Sequence, residues 1–528
     1  MKKYMAFMAW VLVVAMLFAG CGNNVATLST DEPTSSNEKV DVPIKGGITI
    51  DDEPTGNNDV ESKPAGDVDA TSSVNSIGSA NKGNKDKDTD VSNETVTKRE
   101  YTVKAKGSKY ADGIMLPKLS KKEAKITYMT NTTWEYIQQE STDASPTAIY
   151  HAMKIWKETY GVDVQIEMVD WGNFTSHLMT SVVAGEGPDV MRWVSGKPKW
   201  IINNLVTSLD DKLDLTDKDY DVEKMKESYS LNGKIYAAQS MGLKMPEWVV
   251  AYNKTKFENA GETDPMTLYK QGKWNFTQFI KTAKNMTDAV NDEYGIASPG
   301  ALHSVMFMMM YLNDDGTVTL NINNTKFIKC MQAVWKLYRV ENAGRRSDAA
   351  LSDFPLGKDA MYPIQSKEYC RMMDIAKKNN VKYEFGVVPF PAYDMINEKN
   401  PYGSDETYMD AFCISSTPRN LDGAVEFIRL LTKVGSNISR ELGDWGWAKN
   451  YMDAEEKEVF SKVKYFNWEH EDCTDSIDGA YDTFTNTIKM PVYYNKETDK
   501  ELSTILAEAK AKLEANIKEY EIAAGLRK

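Results

Sequence analysis

Beyond residue 120 the chain alternates between two hydrophobic periods. Short alternating or apolar runs at Ala124–Met129, Val162–Val169 and Pro188–Trp193 read as strands. Between them, residues 146–160 and 173–184 repeat apolar side chains at helical spacing, with Ile149, Met153, Ile155 and Trp156 on related faces. Pro146 suits a first helical turn, and Gly161 and Gly185 suit helix ends. Strands separated by single helices predict βαβ units on a parallel sheet. Further on, 276–286, 327–338 and a strongly amphipathic 423–434 predict helices, while 384–391 and 409–414 read as extended. A closing helix over 499–522 carries Leu502, Ile505, Leu506, Leu513, Ile517 and Tyr520 on one side. Ligands of such sheets bind at the carboxyl ends of strands. The loop after Met129, the segment after Val169 and Trp193 are therefore the places to look.

The first hundred residues follow neither period. Lys2 and Lys3 precede an uncharged apolar run, Tyr4 to Phe18, then Ala19, Gly20 and Cys21. That is the layout of a secretory signal, too short for a comfortable membrane span. Leu17-Phe18-Ala19-Gly20-Cys21 resembles the lipobox of bacterial lipoproteins, although Phe18 stands where leucine is usual. The resemblance implies a signal peptide over 1–20 and a diacylglycerol on the Cys21 thiol. Residues 22–100 lack Phe, Trp and Tyr and carry 16 acidic against 8 basic residues. Such a stretch cannot bury enough apolar surface to offset its ordering entropy, so 21–100 is expected to be a disordered tether. Its end-to-end distance would be about 50 Å.

Composition narrows the classes. The 528 residues leave room for two to four domains, and the net charge of −14 argues against a general nucleic-acid binder. Five cysteines exclude a disulfide scaffold, and the spacing of Cys330, Cys370, Cys413 and Cys473 leaves their pairing open. Four scattered histidines show no zinc spacing, so no metal or other cofactor is expected. Neither a Gly-x-Ser-x-Gly elbow nor a phosphate-cradling Gly-x-x-x-x-Gly-Lys-Ser/Thr loop is present.

Seven short stretches, in order, resemble the family 1 extracellular solute-binding proteins, substrate-capturing lipoproteins of ABC importers for sugars and oligosaccharides. They are Trp156–Val164, Ala184–Val190 around Gly187-Pro188-Asp189, Leu205–Asp211, Asn232–Ala237, Ala251–Gly261 with Tyr252-Asn253-Lys254, Gly272–Phe279 and Leu356–Met361. Ala238 and Gln239 stand where the family usually has proline. The resemblance implies an α/β, two-lobe, periplasmic-binding-protein-like fold of type II with a ligand cleft between hinged lobes. Within a solute-binding body of 101–528, lobe 1 would span about 121–238 and 411–465, and lobe 2 about 242–385 and 466–528. Crossings would fall near Ala237–Leu243 and Val387–Asp410.

A sugar ring offers apolar CH faces to aromatic rings and a hydroxyl edge to polar side chains. The candidate ligand-binding residues are therefore Trp134, Trp193, Trp248, Tyr362, Trp445 and Trp447, with Thr132, Gln239 and Asp410 for polar contacts. Trp156 and Trp335 lie inside helical patterns and read as core, as do the methionines around Met306–Met310. Asp189 reads as structural at its turn. The expectation is a monomeric, lipid-anchored binding protein on the extracellular face of a Gram-positive membrane. It would capture an oligosaccharide by lobe closure and deliver it to ABC permease subunits, with no catalytic residue of its own. A surface glycan hydrolase on the same anchor and a sensor or adhesion module are the rival readings.

Overall fold

The alternating runs fold into two sheets. The computed structural model describes residues 99–527, apart from 133–136, 142, 195–197, 243–244, 247, 307–308, 314, 348, 392–405, 408–409, 463–471 and 495–499. The expected signal peptide, Cys21 and the expected tether up to residue 98 lie outside the described residues.

The first sheet runs, edge to edge, through Gln165–Met168, Thr127–Thr130, Val190–Arg192, Ala411–Cys413 and Ala238–Gln239. Its first three strands are parallel, as the βαβ pattern predicts, and Ala411–Cys413 runs antiparallel to both its neighbours, so the sheet as a whole is mixed. The reason is connectivity: Ala411–Cys413 returns from elsewhere in the chain rather than through a βαβ crossover. The helix Ala144–Tyr160 begins where the Asp143 carboxylate accepts the Ser145 N–H, and ends where Gly161 turns to φ 68°. It packs against the long helix Leu421–Leu442. Trp156 is fully buried between them, its Nε1 donating to the Ala124 carbonyl at 2.8 Å and its ring 5.3 Å from Phe427. Leu421–Leu442 extends well past the apolar period read as 423–434, because Ile438 and Leu442 continue its buried face.

The second sheet orders Tyr294–Ile296, Asp359–Gln365, Trp248–Asn253 and Phe385–Pro389, with only the first pair parallel. Its two longest strands read as nearly continuous apolar runs because both faces are covered. Arg345 pins a loop to this sheet: its Nε donates to both Asp359 oxygens at 3.0 and 2.8 Å, and Asp359 is fully buried. The closing helix Leu502–Ala523 buries Leu502, Ile505, Leu506, Leu513 and Ile517 in the same core.

The chain passes from the first sheet to the second between Gln239 and Trp248 and returns between Pro389 and Ala411. The two passages are joined, since Met245–Pro246 pairs antiparallel with Glu406–Thr407. A third passage follows Leu442. The helix Ala454–Lys462 packs on Phe385–Pro389 of the second sheet, although its residues were expected with the first lobe. Electrostatics explains the placement: buried Glu456 accepts the Val387 N–H at 3.0 Å, and Lys254 lies 3.4 Å from the same carboxylate and 2.8 Å from Asp453. Cys330, Cys370, Cys413 and Cys473 are all buried. Burial pushes the Cys370 thiol up to about 12 and that of Cys413 well above its ordinary value, so both stay protonated. No helix among the described residues is long and apolar enough to cross a membrane.

Asp219 ties the segment before the first passage to the long helix. It accepts from Lys433 at 2.8 Å, Arg440 at 2.8 Å and the Ser436 hydroxyl at 2.9 Å. Burial alone would raise its carboxyl, but these partners outweigh burial and hold it at about 2. A lowered carboxyl stabilises the fold above pH ~4, and that contribution disappears as pH falls toward about 2. Asp219→Asn should therefore cost about 1–2 kcal/mol at pH 7, allowing for the solvent around Arg440, and much less at pH 2.5. Thermal melts of both proteins across that range measure it; equal destabilisation at both pH values contradicts the assignment.

Candidate functional site

A cavity of about 350 Å³ opens between the segment that follows the edge strand Gln165–Met168 and the end of the second sheet. From the first side comes Trp171, in a short turn beyond the strand's carboxyl end and 43% exposed. From the second come Trp248, which opens the strand Trp248–Asn253, and Tyr362, Ile364 and Gln365 of the neighbouring strand. The helix Gly300–Met306 reaches this wall because residue 300 has no side chain. A Cβ there would stand 2.7 Å from Pro363 and 3.1 Å from the Trp248 ring. That helix carries His303, whose ring stacks near Trp248 with centroids 6.5 Å apart. A third wall comes from late in the chain: Asp475 in the turn Thr474–Ser476, and Tyr481, whose ring meets Trp171 edge-on at 5.6 Å. Lys199, from the first side, pairs with Asp478 beside them.

The lining is that of a small-molecule site, with aromatic rings and a few convergent polar groups in a cavity near the lower end of the usual size range, about 300–1,000 Å³. Ring faces can cover the CH faces of a ligand, while Gln365, Glu368, Ser347 and Asp475 offer polar contacts. Asp475 opens to the cavity, yet the protein packed around it pushes its carboxyl up to about 6.

A second polar group lies at the carboxyl ends of Thr127–Thr130 and Val190–Arg192. Arg192 donates to Asn131 Oδ1 at 2.9 Å and to Asp410 Oδ1 at 2.7 Å, and the Asp410 N–H donates to Ser145 Oγ at 2.9 Å. Burial, and then the charge of Asp410, push the neighbouring Asp143 carboxyl up to about 6. Lys367, in the first turn of the helix Ser366–Lys378 beyond the second sheet, pulls it the other way.

Of the nine residues singled out in the sequence, the structure brings Trp248 and Tyr362 together in the cavity. Asp410 and Thr132 lie at the polar group instead; the Thr132 N–H donates to Thr130 Oγ1 at 3.0 Å. Trp193 is half-buried against Trp200 and Tyr229, at 5.4 and 5.6 Å. Gln239 is 1% exposed inside the first sheet, and Trp445 is buried with its ring 4.2 Å from Phe460, so neither lines the cavity. Trp445 stands at φ 70° at the N-terminal cap of the turn Gly446–Asn450. Trp134 and the side chain of Trp447 lie outside the described residues. Trp171, His303, Glu368, Asp475 and Tyr481 were not singled out. Trp171 had a signal, since it follows the strand ending near Val169. The others carry none, because their own sequence neighbourhoods do not point at a strand end.

The profile of the family described as bacterial extracellular solute-binding protein matches residues 127–438. No curated protein matches the sequence. Among solved structures, the fold is similar to the maltose/maltodextrin-binding domain MalE of Bdellovibrio bacteriovorus bound to maltotriose. That likeness has a TM-score of 0.53 at 16% identity and covers 75% of this chain and 100% of that one. The galacto-N-biose/lacto-N-biose I-binding protein of Bifidobacterium longum gives 0.53 at 15%, over 75% and 97%. The ABC substrate-binding protein Lmo0181 of Listeria monocytogenes, in complex with cycloalternan, gives 0.51 at 14%, over 76% and 99%. At these identities the likeness is one of fold: two α/β lobes on either side of a cleft.

The raised Asp475 carboxyl makes a signed prediction. A carboxyl that titrates near 6 in the fold and near 4 when unfolded costs stability as pH rises through 6, and costs nothing below about 4. Asp475→Asn should raise the melting temperature of the unliganded protein at pH 7.5 and leave it unchanged at pH 4. Differential scanning calorimetry at the two pH values decides it; a variant less stable at pH 7.5 contradicts the burial described.

Proposed function

The chain belongs to the bacterial extracellular solute-binding protein family, and we propose that it captures a carbohydrate in the cavity between Trp171 and Trp248. The observation that carries this reading is the lining itself: tryptophan and tyrosine rings from four distant stretches beside Gln365, Glu368 and Asp475. Rings that pack on CH faces and polar groups that take a hydroxyl edge are what a sugar needs. The sugar-bound state of the three similar structures supports the same ligand class. The ligand is an oligosaccharide, one of whose units occupies the enclosed part of the cavity.

In this reading the lobes, about 121–238 with 411–450 and about 242–385 with 454–528, close over the sugar about the paired passages. A ligand drives closure by as much as it prefers the closed state. The closed form delivers its cargo to the transmembrane subunits of an ABC permease, and no chemical step belongs to this chain. A lipid on Cys21 and the 21–100 tether hold a monomer at the extracellular face of a Gram-positive membrane. The lipobox-like residues and the composition of the tether support that anchoring.

Thermal shift of the purified chain against mono- and oligosaccharides, with peptides and polyols as controls, tests capture. A ligand at 100 times its Kd should stabilise by about 2.7 kcal/mol. Chromatography of the recovered glycan should show it unchanged; cleavage would favour a hydrolase. Trp171→Ala, at an exposed ring, should alter unliganded stability by no more than about 0.5 kcal/mol yet weaken sugar binding about tenfold. A flat response to every glycan, from well-folded protein, overturns the carbohydrate assignment.

A further inference from the structure

The cavity carries an unbalanced negative charge. Asp475 and Glu368 both line it, and neither forms an ion pair among the described residues. The cations nearby are engaged elsewhere. Lys199 pairs with Asp478, and Lys367 acts on Asp143 at the polar group. Arg371, one turn along from Glu368, reaches the Tyr362 phenol electrostatically but does not line the cavity. Among the described lining residues, His303 alone can become cationic. At pH 7 the two carboxylates against at most one imidazolium leave the described wall negative. Such a wall repels a uronate, sulfate or phosphate and favours a cation. The same wall presents the rings of Trp171 and Trp248, whose faces attract an ammonium group as well as packing on CH groups.

We infer that the ligand of this cavity is a sugar or short glycan bearing a basic amino group, with Asp475 receiving the ammonium and Glu368 supplying the second negative charge. The inference rests on the carbohydrate reading and narrows it. A charge-assisted hydrogen bond from ammonium to carboxylate is stronger than one from a hydroxyl, and it removes the cavity's own repulsion. An N-acetylated or parent sugar keeps the ring contacts and forfeits both gains.

Titration calorimetry of the purified chain at pH 7.0 tests it with matched sets. These are glucosamine, N-acetylglucosamine and glucose, the same three in the galactose series, their β-1,4-linked disaccharides, and glucuronate and galacturonate. One amino sugar should bind at least tenfold more tightly than its N-acetyl and parent partners, and the uronates should bind most weakly. Asp475→Asn should shrink that advantage to less than threefold. Glu368→Gln should shrink it in the same direction and serves if the first variant fails to fold. A neutral or acidic sugar binding as tightly as its amino partner overturns the inference and leaves the carbohydrate reading standing. So does an amino preference that survives both substitutions. No binding by any sugar of the panel overturns both.

Discussion

The short strand Ala411–Cys413 is the constraint on which the rest of the molecule depends. It enters the first sheet between Val190–Arg192 and Ala238–Gln239, and Cys413 meets Met191 from 222 positions away in sequence. Everything between the two sides of that insertion must leave the first sheet and come back to it. The second sheet is built in that interval, and the outward and returning passages pair with each other at Met245–Pro246 and Glu406–Thr407. The Asp189 carboxylate secures the return, accepting the Thr127 N–H at 2.8 Å and the Asn420 N–H at 2.7 Å. One buried acid thus joins the first strand to the start of the long helix. Gly187 beside it is needed for closeness, since a Cβ there would stand 2.4 Å from Ser415 Oγ.

This connectivity also decides what the site can be. The two sheets are joined by the passages between Gln239 and Trp248 and between Pro389 and Ala411, and side chains near strand ends of both reach one cavity. Trp171, Trp248 and Tyr481 come from stretches with no local relation and meet around one cavity. The polar group of Arg192, Asp410 and Asp143 lies at the strand ends of the first sheet and feels the charge of Lys367 from beyond the second. The position of Lys367 therefore bears on how well the Asp143 charge is tolerated.

Much of the fold was legible beforehand because it is written in local terms. The helix Ala144–Tyr160 ends at Gly161 as its sequence implies, since an αL cap suits glycine. The closing helix buries the apolar face that its period marks out, because a stripe at 3.6 spacing must find a partner. Trp156 is core for the same reason. The antiparallel entry of Ala411–Cys413 was not legible, because strand direction is set by where a distant segment must pass. Nor was the docking of Ala454–Lys462 on the second sheet, where Glu456 needs the Val387 N–H and Lys254.

The candidate site divides along the same line. Residue chemistry alone determined that the chain offers tryptophans and tyrosines whose ring faces can pack on a ligand, and the order of short motifs pointed to the two-lobe family. Which rings stand in the cavity was decided by tertiary structure. Trp445 and Trp248 are the same residue type, yet one packs its ring against Phe460 and the other, at the start of a strand, lines the cavity. Asp475 sits in a turn with no motif around it, and only the fold brings it to the cavity wall. Local periodicity specifies elements because each residue's neighbours in sequence bear on it. A ligand cavity is specified by neighbours in space, and those exist only once the chain has crossed between its sheets and returned.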